Sequence, residues 1–193
     1  MDDKMLKEKI AAQFQPIIEA WKTKDIYAIS FFVYDSSDNL FEPTVTLSYN
    51  TESHFKKSIP DASDEAEARW NFAFWLQGQD SIFGEDDESK AITKNWITAK
   101  GIEYIDFGGD LTDEQHDILA EIEQNGTIIK PFIKVLISIV QEWHKTGFIK
   151  KKFGKAIPVL IHELEYYDEI VEQNIKANGL QLVQGLADWL NGF

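Results

Sequence analysis

The sequence contains no cysteine, which excludes disulfides, cysteine-ligated zinc, iron–sulfur clusters and a thiol nucleophile at once. Such a chain suits the reducing cytosol. Basic charge is scarce: 19 Lys and Arg stand against 33 Asp and Glu, for a net charge of -14, and Arg69 is the single arginine. Contacts to nucleic acid are dominated by cations neutralising phosphates, so direct nucleic-acid binding is disfavoured. The same field repels anionic lipid and speeds encounter with a basic protein. A charge of this size also serves solubility. Long hydrophobic runs are missing. The longest, Phe132 to Val140, is broken by Lys134 and Ser138 and falls well short of the ~20 residues of a membrane span. The opening MDDKMLKEKI lacks the positive and apolar regions of a secretory signal. The expectation is a soluble cytoplasmic protein.

What is present suffices for one real core. The 193 residues are 44% hydrophobic and 13% aromatic, with tryptophan at 6 positions, far from the composition of disorder. A chain of this length buries roughly 70% of its unfolded surface. No repeat or long linker divides it, so residues 1–193 read as a single domain.

From Asp3 to Lys24 the apolar residues Leu6, Ile10, Phe14, Ile17, Ile18 and Trp21 recur at helical spacing, with Pro16 as a potential bend. Ile26 to Tyr34 reads as a central strand. Thr44 to Tyr49 alternates Val45, Leu47 and Tyr49 with Thr44, Thr46 and Ser48, a half-exposed strand. Turn residues from Asp35 to Asn39 make an antiparallel hairpin the economical link. Thr51 is placed to cap a short helix through Lys57, and Ser63 a second helix through Arg69, Trp70, Phe74 and Trp75. Gly78 to Glu88, with five carboxylates and little to pack, reads as a mobile acidic loop, followed by a helix over Ser89 to Lys100. Gly108 and Gly109 interrupt the chain. Thr112 and Gln115 have capping-box spacing for a helix through Glu123 that ends at Asn125 and Gly126. Ile128 to Trp143, with Pro131 in its first turn, is expected to be the most buried helix. A basic segment at Lys145 and Lys150 to Lys155 precedes a β-like run, Ala156 to Glu165. Helical patterns over Tyr167 to Ala177 and Leu180 to Leu190 are split by Asn178 and Gly179. The fold class expected is α+β: a small, mostly antiparallel sheet of three or four strands packed with several helices.

Catalytic signatures are weak. His162 and Glu163 begin an HExxH-like stretch, but the second histidine position is Tyr166. On a strand, His162, Leu164 and Tyr166 share one face and Glu163 and Glu165 the other. His54, His116, His144 and His162 have no ligand spacing between them. Asp80 and Glu85 to Glu88 lack the calcium-loop pattern. Gly108-Gly109-Asp110 is not a phosphate loop, and no GxSxG elbow occurs. No metal or cofactor is expected. Arg69, beside Trp70, is suited to a structural ion pair or an aromatic stack.

Four segments together resemble a bacterial domain family of unknown function whose members are often encoded beside polymorphic or contact-dependent toxins. They are WKTKDIYAISF from Trp21 to Phe31; Thr51 and Glu52; Ala68, Arg69, Trp70 and Trp75; and IHELEYYDE from Ile161 to Glu169. The resemblance implies an α+β cytoplasmic domain with no established catalytic residues to carry over, acting as an immunity protein that binds and neutralises a cognate toxin. A basic nuclease toxin would meet acid with base. Asp80, Glu85, Asp86, Asp87, Glu88, Asp106, Asp110 and Asp113 are the candidate partner-binding residues. Two other classes stand beside this reading: a small-ligand-binding protein or enzyme with a pocket near Arg69, Trp70 and His162, and a scaffold or homo-oligomerisation domain.

Overall fold

The computed structural model describes residues 2–36, 39–105, 111–166 and 168–192. The fold is α+β, built on one four-stranded mixed sheet. Helix α1 (Asp3–Ala20) leads into strand β1 (Ile26–Asp35), which pairs antiparallel with β2 (Pro43–Thr51). Helix α2 (Glu52–Ser58) and α3 (Glu65–Trp70) precede the short strand β3 (Ser81–Phe83), antiparallel to β2. Helices α4 (Asp87–Ala99), α5 (Asp113–Asn125), α6 (Ile129–Lys145) and α7 (Phe148–Phe153) follow. Strand β4 (Val159–His162) then returns parallel to β1, and α8 (Asp168–Asn178) and α9 (Leu180–Leu190) close the chain. The strand order is β3-β2-β1-β4.

The local rules behind these elements are visible in their ends. Thr51 caps α2 by accepting the His54 amide at 3.0 Å. Thr112 and Gln115 form a complete capping box on α5, and Gly126, at φ 61, ends that helix in the left-handed conformation that suits glycine. Proline in the first turn of α6 removes only an N–H that has no helical partner. Four expectations shift. Helix α3 is capped by Asp64 rather than Ser63, whose own amide donates to Glu67 Oε2 at 2.7 Å, and it stops at Trp70, short of Phe74 and Trp75. Strand β4 covers only four residues of Ala156 to Glu165. The basic segment is largely helical, as α7. Helix α1 continues through Pro16 but ends at Ala20.

One sheet face is apolar. Ile29, Phe31, Val33, Val45, Leu47, Phe83, Val159 and Ile161 meet Leu6, Ile10 and Phe14 of α1, Trp96 of α4 and the buried stripe of α6, from Phe132 to Trp143. The other face carries Ser30, Thr44, Thr46, Ser48, Asn50 and His162, and it is buried too. The half-exposed reading of β2 is therefore corrected. The chain from Phe72 to Asp80 lies over this polar face: Asn50 Oδ1 accepts the Leu76 amide at 3.3 Å, Asp80 N–H donates to the Leu47 carbonyl at 3.0 Å, and Gly78 sits against Ser48. Helix α9 packs on α3 at Gly185, where an added Cβ would stand 2.8 Å from the Trp70 indole nitrogen.

Side-chain amides engage both sheet edges. On β4, Asn178 Oδ1 accepts the Val159 amide at 2.8 Å and its Nδ2 donates to the Val159 carbonyl at 2.9 Å. One helical turn earlier, Asn174 does the same for Ile161, with both contacts at 2.8 Å. Residues two apart on a strand and four apart on a helix have nearly the same axial spacing, about 6 to 7 Å, so α8 acts as a surrogate fifth strand. At the opposite edge Gln13 of α1 donates to Ile82 O and Ser81 Oγ.

Candidate functional site

The acids of Gly78 to Glu88 do not form a free loop. Phe83 is buried within β3, and Asp86 caps α4 by accepting the Glu88 and Ser89 amides, each at 3.0 Å. The Ser89 hydroxyl and amide hold the Asp86 carboxyl below its ordinary range. Glu85 accepts the Tyr34 hydroxyl at 2.7 Å, and Glu88 stands 3.7 Å from Lys9. Asp87 and Glu88 lie in the first turn of α4, where the helix dipole favours them. Burial raises the Asp80 carboxyl, opposed by the Trp21 indole. All five stay exposed, yet local structure already accounts for much of their charge. Asp106 and Asp110 lie outside the described residues.

Asp113 belongs to a different surface. Helix α5 carries Asp113, Glu114, Asp117, Glu121 and Glu123, all exposed, and no Lys or Arg. None of the five forms an ion pair among the described residues. Its apolar side, Leu119 and Ile122, is buried, so the acids project outward by helical geometry alone. The segment after β4 and the start of α8 add Glu165 and Glu169 nearby, both on clefts that also reach Glu123. Of the α5 acids only Asp113 stood out in the sequence. The signal for the others was the absence of any cation from a thirteen-residue amphipathic helix.

Arg69, Trp70 and His162 do not share a cleft. Arg69 forms a two-pronged pair with Glu52, at 2.8 Å and 3.2 Å, and its guanidinium lies 4.2 Å from the Tyr27 ring centroid and 4.9 Å from that of Phe55. The Arg69 carbonyl accepts the Tyr27 hydroxyl and the Trp75 indole. A cleft of ≈ 670 Å³ borders Arg69 and Trp70, lined also by Asp64, Asp188 and Trp189. His162 lies elsewhere, enclosed by the rings of Phe32, Phe72 and Tyr166. Its Nδ1–H donates to the Glu163 carbonyl at 3.3 Å, so Nε2 accepts the Ser30 hydroxyl at 2.8 Å. That polarity matches a nucleophile and its base, but both residues are buried, His162 at 1% exposure. Desolvation lowers the imidazole to about 4, so it is neutral near pH 7. Tyr27, Glu52, Arg69, Trp70, Trp75, His162 and Tyr166 are thus gathered on one side of the sheet.

Among the described residues, no group of three or more His, Asp or Glu converges as a metal site, and no helix is long and apolar enough to cross a membrane. Comparison with protein-family models, curated proteins and solved structures finds no match.

Proposed function

We propose that the protein is an immunity-type inhibitor: a binding protein without a reaction of its own, which neutralises a basic toxin domain inside the producing cell. A nuclease is the first candidate toxin, because a nucleic-acid cleft must present Lys and Arg. The observation that carries this reading is α5, with five exposed carboxylates and no counter-cation. An exposed acidic helix that forms no ion pair among the described residues is free to pair with cations of a partner. Such pairs gain strength as the interface excludes water, and they accelerate encounter beforehand. Asp80, Glu85 and Asp87, exposed at the start of α4 or before it, extend the same sign of charge.

The test is co-purification of the tagged protein with the product of the adjacent gene, and rescue of cells expressing that product. The expected outcome is a salt-sensitive complex with rescue, weakened at least about tenfold when Asp113, Asp117 and Glu121 are changed together to Lys. No complex and no rescue would overturn the reading.

A further inference from the structure

Two clefts adjoin on one flank of the molecule. The first, ≈ 690 Å³, opens at the end of β1 and is lined by Phe32, Tyr34, Ile128 and Leu164. The second, ≈ 500 Å³, lies between α6 and α8. Glu123, Gly126, Ile129 and Glu163 border both, so the two form one groove. Its floor is apolar. Ile129, Ile133 and Ile137 follow one another along α6 at intervals of four, which sets them on one helix face over about 12 Å. At the head of the groove stands Leu164, 80% exposed.

The rim is predominantly acidic. Glu123 comes from α5, Glu163 and Glu165 from the chain after β4, and Glu169 and Glu172 from α8. Lys130, Lys134 and Lys176 oppose them. Lys176 is held by Glu172 at 3.2 Å, and the Lys130 stem lies over Gly126.

We propose that this groove takes one amphipathic helix of a basic partner protein. The apolar stripe of that helix lies along the three isoleucines and Leu164, and its Lys or Arg flanks meet the glutamates. An apolar floor alone would accept many segments; the acidic rim selects a cationic one, and the linear spacing of the isoleucines suits side chains repeating every three to four residues. The inference rests on the preceding reading only in taking the partner to be basic.

The probe is a labelled helical peptide of about 18 residues, five turns of Leu and Lys with the leucines on one face. Its control is a scrambled peptide of identical composition with no apolar face. Anisotropy titration is expected to show the amphipathic peptide binding at least about tenfold more tightly than the scrambled one. Leu164→Ser together with Ile137→Gln should abolish that difference. Glu165→Gln with Glu169→Gln should weaken both peptides and flatten the dependence on salt. Leu164→Ser alone keeps the test valid if the paired variant melts early, because Leu164 has almost nothing to lose from the core. Equal binding of the two peptides, or a full difference retained in a folded Leu164→Ser variant, overturns the proposal. These titrations involve no toxin, so failed rescue in cells would remove the immunity reading and leave the groove standing, and the reverse also holds.

Discussion

His162 is a titratable residue held almost wholly out of water. Burial holds its imidazole neutral down to about pH 4, whereas the unfolded chain protonates it near 6.5. Between those values the unfolded state binds more protons, so stability from this residue is complete above pH 6.5 and is lost as pH falls toward 4. The full window corresponds to a loss on the order of 3 kcal/mol. Carboxylates held low by partners, such as Glu52 beside Arg69 and Asp86 beside Ser89, add their losses only below the ordinary carboxylate range. Urea denaturation from pH 6.5 to 4.5 should therefore show a falling unfolding free energy in the wild type and a flatter profile in His162→Gln, which keeps a polar partner for Ser30 but cannot titrate. An identical slope in the two proteins would show that His162 is not the titrating group. The same residue shows how the fold separates side chains that the sequence suggested as one pocket. In the sequence, His162 and Arg69 are both sparse, chemically capable side chains. In the fold, aromatic rings enclose the first, and Glu52 and Tyr27 engage the second.

Among the elements, α8 has the most specific structural duty. Edge strands present unpaired N–H and C=O groups that invite association, and Asn174 and Asn178 occupy those of β4. Asn174→Leu should destabilise the protein by at least about 2 kcal/mol in urea denaturation, because it strips a buried strand amide of its acceptor and weakens the pairing of its carbonyl. A change below about 0.5 kcal/mol would mean that water or backbone movement replaces the amide. The helices themselves were largely legible: α5 with its capping box and Gly126, α6 with its apolar stripe, and the break between α8 and α9 all follow from spacing and cap chemistry. Strand β3 was not, since three residues flanked by acids carry no period. Nor was the role of Asn174 and Asn178, because amides at that spacing look like solvent-facing helix positions until a strand edge lies beside them. The alternating hydroxyls of β2 misled in the same way; they face a second layer of protein contributed by Phe72 to Asp80.

At the scale of the whole molecule, a net charge of -14 makes the fold a self-repelling body that a basic partner would relieve. Raising ionic strength from 0.01 M to 0.15 M shortens the screening length from about 30 Å to about 8 Å. Repulsion summed over the surface is then reduced more than the close ion pairs such as Lys7 with Glu142, 2.6 Å apart. The melting temperature should therefore rise with salt while the association rate with a cationic partner falls; a melting temperature that drops with salt would show that specific ion pairs outweigh the net repulsion. Composition determined these global properties, together with the absence of cysteine chemistry and the α+β class, because charge counts and residue periods belong to the chain before it folds. The tertiary structure decided which acids remain available. Asp86 went to a helix cap and Glu85 to Tyr34, while α5, oriented by Leu119 and Ile122, turned Glu114, Asp117 and Glu121 outward and left Glu123 at the isoleucine groove. That allocation depends on which groups the fold brings within hydrogen-bonding distance, a quantity that spacing along the chain does not contain.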